Sequence, residues 1–237
     1  MSASSISNQL KIAILVAGGT GTRMQSSLAK QFLLLAGKPI LMHSISRFYA
    51  FDPAMQLLVV LPDTEIKYWE TLCNQYAFAI PHRVVAGGAT RFESVRNGLA
   101  AIQAAEGLVA IHDGVRPLIT QAIIARSFEE ARQTQAAIAV VSLKDSIRQW
   151  ETPPYSKATN RSQYCLVQTP QTFDLALLRQ AYQQPFQDSF TDDASVVEAL
   201  GKFISTFEGA YENIKITTPE DLVVAEALWA YQQKSSL

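Results

Sequence analysis

Short apolar runs alternate along the chain with polar segments in which apolar residues recur at helical spacing. Each run is continuously apolar, which is typical of a strand covered by helices on both faces of a sheet. Strands that alternate with helices predict βαβ units and a mostly parallel sheet. The predicted strands are KIAILVA (11–17), QLLVVL (56–61), HRVVA (82–86), LVAIH (108–112) and AAIAVVSL (136–143).

Four of the intervening segments carry signals of a helix start. Asp63 or Thr64 is placed to cap DTEIKYWETLCNQY, and Thr90 followed three residues later by Glu93 predicts a capping box for ATRFESVRNGLAAIQ. Thr218 is the predicted cap of the last helix, which begins within TTPEDL. The fourth segment, PILMHSISRFYAF, begins with a proline, as helices often do.

Residues 144–164, KDSIRQWETPPYSKATNRSQY, interrupt this alternation. They contain no helical apolar stripe, and their two polar, partly alternating stretches flank Pro153 and Pro154, which predicts a β-hairpin. A hairpin with so few apolar residues needs a partner, and the simplest partner is a second copy of the chain. A solvated loop is the alternative.

The composition is that of a globular protein. The 237 residues, of which 48% are hydrophobic and 17% charged, predict one folded domain over residues 1–237 that includes the hairpin. A net charge of -1 argues against nucleic acid as the main partner. Cys73 and Cys165 lie far apart without metal-ligand spacing, which favours a reducing, cytoplasmic location. The first apolar run is too short to span a membrane, and no cleavage site follows it.

The stretch LVAGGTGTRMQSSLAKQF (15–32) sets three glycines behind the first predicted strand, followed by Arg23 and Lys30. Bare backbone N–H groups approach phosphate oxygens closely and cations neutralise their charge, so this stretch predicts a phosphate-binding loop. It is not a dinucleotide fingerprint, because Met24 stands where the third glycine is required, and it is not a Walker A loop, because Ala29 precedes Lys30. A structural turn with unrelated surface cations is the alternative.

Six motifs in order narrow the ligand class. They are AGGTGTRM with KQF shortly after it, AGGATRFESV, HDGVRP, QTPQTF, TDDAS and NIKITTPEDL. The first resembles the sugar-phosphate nucleotidyltransferases, and the whole series, over residues 11–233, resembles the 2-C-methyl-D-erythritol 4-phosphate cytidylyltransferase family. The resemblance implies a single Rossmann-like α/β fold with a mostly parallel sheet flanked by helices and a projecting β-hairpin arm.

In such an enzyme a phosphate oxygen of the sugar-alcohol phosphate attacks the α-phosphorus of CTP, and pyrophosphate leaves. The obstacle is repulsion between anions, so the site must align them and stabilise charge. We therefore expect Arg23 and Lys30 to surround the α-phosphate and the leaving pyrophosphate, and the resemblance implies the same catalytic roles. The backbone expected to cradle the triphosphate belongs to Ala17, Gly18, Gly19, Thr20 and Gly21.

The resemblance assigns Gly87, Gly88 and Ser94 to the cytosine pocket, where backbone carbonyls would accept the exocyclic amine and reject a uracil carbonyl. The same residues also fit a plain turn before a capped helix. Lys215 is expected to reach towards the phosphates of CTP from a strand before the last helix, with an ordinary surface lysine as the alternative.

Asp113 in HDGVRP stands at the end of a predicted strand, where open α/β sheets bind ligands. Alone it fits a turn cap equally well, and the resemblance assigns it to the substrate hydroxyls and to the vicinity of Mg²⁺. Magnesium is expected as the cofactor because it bridges phosphate oxygens. The resemblance further implies a substrate pocket completed by the arm of a second subunit in a homodimer. Its expected members are Arg116, Ser146, Arg161 and Thr169.

Three questions stay open at this point. TDDAS fits either two acids poised for metal or a helix N-cap. The substrate is alternatively ribitol 5-phosphate, because those relatives share several motifs and HDGVRP departs from the family's usual HDAARP; a noncatalytic nucleotide-binding regulatory module is an alternative of another class. The family also commonly has proline at the position of Ala29 and an acidic residue at the position of Ala89.

Overall fold

The computed structural model describes residues 9–19 and 28–235, and within them a central sheet is built from seven of the eleven strands. The strands are β1 (Lys11–Val16), β2 (Leu34–Leu35), β3 (Lys38–Pro39), β4 (Gln56–Leu61), β5 (Arg83–Ala86), β6 (Leu108–Asp113), β7 (Ala136–Ser142), β8 (Ile147–Trp150), β9 (Ser156–Thr159), β10 (Cys165–Asp174) and β11 (Ser205–Glu208). The helices are α1 (Ile40–Phe51), α2 (Asp63–Gln75), α3 (Arg91–Ala100), α4 (Gln121–Thr134), α5 (Leu175–Ala181), α6 (Asp193–Glu198) and α7 (Pro219–Ser235). A short 3-10 turn covers Lys30–Phe32.

The strand order in the central sheet is β11-β7-β10-β6-β1-β4-β5. Six strands run parallel, and β10 runs antiparallel to both of its neighbours, β6 and β7. The prediction of a mostly parallel sheet is confirmed. The chain leaves β1 for β4 and β5 on one side and returns to β6 on the other, so the strand order reverses beside β1. Open α/β sheets bind ligands at such a reversal.

Both faces of the sheet are covered, which explains the continuous apolar runs. In β1, Ala13 and Leu15 belong to one core cluster and Ile12 and Ile14 to another, and all four are fully buried. Helices α1, α2 and α4 pack on the first face, and α3, α5 and α6 pack on the second. Each buried Leu or Ile contributes roughly 1.5–3 kcal/mol, so the two clusters together hold the strands that position the site.

Two of the three predicted helix caps are confirmed. Thr90 and Glu93 form the predicted capping box at the start of α3. Thr218 precedes α7, and its hydroxyl accepts a hydrogen bond from the N–H of Asp221 at 3.4 Å. The prediction that Asp63 or Thr64 caps α2 is wrong, because the helix begins at Asp63 itself and is preceded by a proline without a capping side chain.

Strand β10 was not predicted, because its central residues are polar and include a proline. Its pairing with β7 shifts in the middle: Val167 pairs with Val140, but the next pair joins Gln171 to Ile138, so β10 contains extra residues between the two pairs. This bulge leaves residues 168–170 outside the regular ladder and brings Thr169 next to the end of β6. The irregular stretch is therefore what joins β10 to the candidate site.

The hairpin predicted within residues 144–164 is present as the antiparallel pair β8 and β9. Its side chains are exposed or half-buried, and Trp150 and Tyr155 expose 68% and 72% of their surface. We call residues 144–164 the arm. Within residues 9–19 and 28–235, no helix is long and apolar enough to cross a membrane.

Candidate active site

A cleft of about 180 Å³ opens where the strand order reverses, at the carboxyl ends of β1 and β6. Val16 pairs with Asp113 across these two strands, so the glycine-rich segment after β1 and the carboxylate at the end of β6 lie side by side. The cleft is lined by residues 16–19 after β1, residues 88–91 before α3, and the side chains of Lys30, Asp113 and Lys215. Sequence motifs that are up to two hundred residues apart thus meet at one edge of the sheet.

The side chain of Lys30 lies over the backbone of Gly19. A Cβ added to Gly19 would stand 3.2 Å from Lys30 Cε and 3.3 Å from its Nζ, so this glycine leaves room for the amine. Ala29, just before Lys30, has φ -61° and ψ 137°, which are angles that a proline adopts. The alanine at this position therefore keeps the backbone path of the family's usual proline.

Gln31, next to Lys30, is fully buried and anchors the 3-10 turn to α2. Its amide donates a short hydrogen bond to the carboxylate of Glu65. Burial raises the pKa of Glu65, and the amide bond opposes that shift without cancelling it. This contact fixes the segment from which Lys30 reaches Gly19.

The backbone N–H groups of the turn before α3 donate hydrogen bonds to side chains of that helix. The N–H of Gly88 donates to Ser94 Oγ at 3.1 Å, and the N–H groups of Ala89 and Thr90 both donate to Glu93 Oε2, at 2.8 and 3.2 Å. The Ser94 hydroxyl in turn donates to the carbonyl of Thr90. Side chains of α3 therefore accept hydrogen bonds from these three N–H groups and fix the conformation of the turn.

The N–H of Gly87 also donates a hydrogen bond, to the carbonyl of Leu61 at 2.7 Å. No hydrogen bond from any described residue reaches the carbonyl oxygens of Gly87, Gly88 or Ala89. Both glycines are required by close approach: a Cβ on Gly88 would lie 2.3 Å from Glu93 Cβ, and one on Gly87 would lie 2.9 Å from the Ser94 hydroxyl. The turn thus offers free backbone carbonyls and no free backbone N–H group. We call residues 87–90 the base turn.

Asp113 lies between two cations at the end of β6. Its Oδ2 accepts a hydrogen bond from Arg116 Nε at 3.0 Å and lies 3.2 Å from Lys215 Nζ. Burial raises the pKa of this carboxyl, but the positive charges of Lys215, Arg116 and Arg91 outweigh it, and the pKa lies well below its usual range. Asp113 is therefore an anion at neutral pH, with Lys215 held beside it.

A buried hydrogen-bond chain supports Asp113 from behind. The Asp113 N–H donates to Thr169 Oγ1 at 3.0 Å, and Thr169 Oγ1 lies 3.1 Å from His112 Nδ1. His112 Nε2 lies 3.2 Å from the carbonyl of Arg116, which can only accept. His112 therefore carries its proton on Nε2, and its bare Nδ1 accepts from the threonine hydroxyl. Burial lowers the pKa of His112 to about 4, so the ring is neutral at pH 7.

The comparisons with known proteins bear on this constellation. The family model for IspD, 2-C-methyl-D-erythritol 4-phosphate cytidylyltransferase, matches residues 11–230. The chain belongs to this family. A relative of that name from Phocaeicola vulgatus is 50% identical over 215 residues, which cover 91% of this chain and 97% of the relative. Another, from Halalkalibacterium halodurans, is 41% identical over 93% of this chain and 97% of its own.

Solved structures agree with the family assignment. The 4-diphosphocytidyl-2C-methyl-D-erythritol synthase of Anaerococcus prevotii superposes with a TM-score of 0.80 at 27% identity, covering 95% of this chain and 96% of its own. The 2-C-methyl-D-erythritol 4-phosphate cytidylyltransferase of Thermus thermophilus superposes with a TM-score of 0.73 at 32% identity, covering 93% of this chain and 98% of its own.

The cytidylyltransferase cleft brings together most of the residues singled out from the sequence. Ala17, Gly18, Gly19, Lys30, Gly88, Ser94, Asp113 and Lys215 line it, Gly87 belongs to the base turn, and Arg116 and Thr169 contact Asp113. Thr20, Gly21 and Arg23 lie outside the described residues. The prediction of a strand before the last helix is wrong: Lys215 lies in a segment outside the regular strands, which is held by the hydrogen bond from the Ile216 N–H to the Val115 carbonyl.

Two predicted substrate residues, Ser146 and Arg161, lie on the exposed arm and do not line the cleft of their own chain. Arg161 donates to the carbonyl of Lys144 at the base of the arm. The Lys144 amine in turn stands 3.6 Å from the ring centre of Tyr211.

Four residues hold the site in a way that the sequence did not predict. Asn213 is fully buried. Its side-chain amide donates to the Thr169 backbone carbonyl at 2.9 Å, and its backbone carbonyl accepts from the Arg116 guanidinium at 2.8 Å. Arg91, Tyr182 and Asp193 form a buried polar cluster beside the base turn. In TDDAS, Asp192 is the cap of α6 and Asp193 pairs with Arg91, and no group of three or more possible metal-ligating side chains occurs among the described residues.

Proposed function

We propose that the chain transfers the cytidylyl group of CTP to 2-C-methyl-D-erythritol 4-phosphate, giving 4-diphosphocytidyl-2-C-methyl-D-erythritol and pyrophosphate. The observation that carries this proposal is the pairing, in one cleft, of a base turn whose free backbone groups are all acceptors with a cationic phosphate site. Membership of the cytidylyltransferase family supports the same reaction.

The reaction needs alignment and charge stabilisation rather than an acid or a base. An oxygen of the substrate phosphate forms a bond to the α-phosphorus of CTP, and the bond from the α-phosphorus to the bridging oxygen breaks, so the electron pair leaves with pyrophosphate. The monoester is already a nucleophile at neutral pH. Lys30, over the backbone of Gly19, and Lys215 stabilise the negative charge that develops on the phosphoryl oxygens. Arg23 is proposed to act with them.

The base turn selects cytosine. Its backbone N–H groups donate to Leu61, Ser94 and Glu93, and the carbonyls of Gly87, Gly88 and Ala89 are left to accept hydrogen bonds. Cytosine has an exocyclic amine that donates, whereas uracil has a carbonyl in that position, so uracil would set one acceptor against another. Selection through backbone atoms also explains how the pocket works with Ala89, which has no acidic side chain.

Mg²⁺ is the proposed cofactor, held mainly by the phosphates of CTP. Asp113 Oδ2 is shared by Arg116 and Lys215, whereas no described residue bonds to Oδ1, which would hold the ion. One carboxylate suits Mg²⁺, which usually binds one or two carboxylates together with substrate phosphates and water. When bound, the ion neutralises charge on the phosphate oxygens.

A homodimer is proposed to complete the substrate pocket. The arm exposes Trp150 and Tyr155, which a second copy would cover, and it carries Ser146 and Arg161 away from the cleft of its own chain. A guanidinium grips a phosphate with two parallel hydrogen bonds. Arg161 is therefore assigned to the substrate phosphate in the partner's cleft, with Ser146 beside it, while Thr169 and Arg116 serve the cleft of their own chain.

Pyrophosphate release by the purified protein with CTP and Mg²⁺ tests the reaction. We expect release with 2-C-methyl-D-erythritol 4-phosphate, little with ribitol 5-phosphate, and almost none when Arg23 is replaced by Ala. Release with ribitol 5-phosphate alone would overturn the substrate assignment. CTP binding without release from either sugar would instead indicate the noncatalytic module.

Mixing two inactive variants tests the arm. Lys30→Met disables a cleft, and Arg161→Ala disables the arm that serves the other cleft. Coexpressed, the two variants form mixed dimers with one intact cleft, so about a quarter of the wild-type sites are restored in a random mixture. If Arg161 acts within its own chain, the mixture stays inactive.

A further inference from the structure

An ion pair between a half-buried guanidinium and a buried carboxylate joins the start of α3 to the start of α6. The Arg91 guanidinium donates to both carboxylate oxygens of Asp193, at 3.0 and 2.6 Å, and Asp193 is fully buried. The hydroxyl of Tyr182 donates to Asp193 Oδ1 at 2.6 Å. Burial raises the pKa of Tyr182 well above its usual value, so this hydroxyl remains a donor at neutral pH.

An aromatic cluster lies beside the pair. Phe92, next to Arg91 in α3, stacks on Tyr182 with ring centres 4.7 Å apart, and it also stacks on Phe190 at 5.7 Å. Phe186 packs against both Phe92 and Phe190. Because Asp193 is fully buried, its charge depends on the hydrogen bonds from Arg91 and Tyr182.

The two partners belong to different parts of the site. Arg91 is the first residue of α3 and follows the base turn directly. Asp193 is the first residue of α6, whose N-terminus is fixed to β10: Gln171 donates to Asp192 Oδ2 at 2.8 Å and accepts from the Ala194 N–H at 3.0 Å. Gln171 follows the bulge that carries Thr169. The ion pair therefore ties the base turn to the strand that supports Asp113.

Arg91 lines the cleft together with Lys30 and Lys215, but its guanidinium is held in a different way from their amines. Two of its nitrogens are committed to Asp193, whose carboxylate neutralises its charge. A planar guanidinium held at two points has a fixed orientation, which a single ammonium contact does not provide. This geometry suits a residue that fixes the backbone on which the base rests.

We propose that Arg91 and Asp193 are positioning residues for the cytosine base of CTP, which act by holding the base turn at a fixed distance from the Asp113 side of the cleft. The inference rests on the proposed function. It adds a determinant of nucleotide selection that contacts neither the base nor the reacting atoms.

Asp193→Asn tests the proposal, because it keeps the size of the side chain but removes the charge and one of the two acceptors for Arg91. We expect the KM for CTP to rise about tenfold, the preference for CTP over UTP to fall, and the KM for the sugar phosphate to stay close to wild type. Direct titration of CTP and UTP without the sugar phosphate should show the same loss of discrimination. Arg91→Lys, which keeps the charge but not the double contact, should have an intermediate effect.

The matched control is Asp52→Asn. Asp52 pairs with Lys11 at 2.8 Å at the amino end of β1, at the opposite end of that strand from the cleft. Loss of that pair should lower thermal stability and leave both nucleotide constants unchanged. If Asp193→Asn lowers stability but leaves CTP binding and the CTP preference within twofold of wild type, the pair is only structural and the proposal is wrong.

Tyr182→Phe keeps the test decisive should Asp193→Asn fail to fold. It removes one hydrogen bond to Asp193 and retains the stacking on Phe92, and we expect the same direction of change with a smaller amplitude. An unchanged CTP preference in this folded variant would also overturn the proposal. Failure of the proposed function is distinguishable, because it appears as absent pyrophosphate release from the wild-type protein.

Discussion

The floor of the cleft and the arm are built on opposite principles. Around Asp113, the side chains of His112, Thr169 and Asn213 are buried; the Thr169 hydroxyl bonds to His112, and the Asn213 amide donates to the Thr169 backbone carbonyl. On the arm, Trp150 exposes 68% of its surface, and Arg161 rests on a backbone carbonyl at the base of the hairpin.

The contrast separates residues that act in their own chain from residues that are proposed to act in a second copy. A network of buried hydrogen bonds fixes its groups before the ligand arrives, which is what electrostatic catalysis requires. An exposed hairpin with two large aromatic side chains has no such support and would gain it by covering a partner in the proposed homodimer. Substitutions in the cleft should therefore alter chemistry or stability in one chain, whereas those in the arm should alter assembly.

The largest effect is expected from Lys30→Met, which removes a charge on the cleft side. Loss of one preorganised charge-stabilising group costs about 3–4 kcal/mol, so kcat should fall about 10²–10³-fold. Pyrophosphate release under saturating substrates measures this. Lys38→Met, at an exposed lysine in β3, is the control and should retain full activity. A Lys30→Met enzyme with kcat within threefold of wild type would remove Lys30 from the chemistry.

His112→Gln tests the buried network around Asp113 through the pH dependence of the free energy of unfolding. Because the pKa of His112 falls from 6.5 to about 4 on folding, the unfolded chain binds this proton more readily than the folded chain between those values. The resulting stability is complete above pH 6.5 and is lost as pH falls towards 4, by about 3 kcal/mol. Glutamine can keep both hydrogen bonds but cannot titrate.

Urea unfolding between pH 4 and 7.5 checks this expectation. Carboxylates and the other histidines are present in both proteins, so they cancel in the difference between wild type and His112→Gln. Parallel pH profiles for the two proteins would mean that His112 is not the buried neutral base inferred from its contacts.

Gly88→Ala should have a smaller effect, again confined to one chain. The new Cβ would lie 2.3 Å from Glu93 Cβ, so the base turn must shift at a cost of about 1–3 kcal/mol. CTP binding should weaken, as calorimetric titration would measure. Gly201→Ala is the matched control: at φ +73° it is strained but open, and should lose stability without weakening CTP binding. Equal CTP affinity in both variants would contradict the role of the turn.

The smallest change in the stability of one chain is expected from Trp150→Ser on the arm. An exposed substitution alters the free energy of unfolding by about 0.5 kcal/mol or less, yet it should shift the mass measured by analytical ultracentrifugation from dimer towards monomer. Phe203→Ser, at a side chain that is 96% exposed away from the arm, is the control and should leave the mass unchanged. A dimer that survives Trp150→Ser would place the interface elsewhere.

The sequence predicted the elements whose local pattern agrees with their environment. The five parallel strands predicted from it are continuous apolar runs because helices cover them on both faces. The Thr90 and Glu93 capping box is local and was readable. Strand β10 was not, since Gln171 and Thr169 are buried there only because tertiary partners bond to them. Edge strand β11 has just four residues and gives too short a pattern.

For the site, motif order predicted which residues belong to the cleft but not what supports them. Asp193 was read as a possible cap or metal ligand, because the pairing with Arg91 joins residues 102 positions apart. Asn213 stands inside a recognised motif, yet its bonds to Thr169 and Arg116 exist only once β6, β10 and the segment before α7 meet. Such contacts have no local signature.

The bulge in β10 has a consequence for how variants of this protein can be built. Before the bulge, residues 165–167 pair with β7 alone; after it, residues 171–173 pair with neighbours on both sides. A length change in the hairpin can be taken up before the bulge without moving Gln171 along β6. We therefore expect that the arm can be exchanged between related chains without a change in the geometry of the cleft.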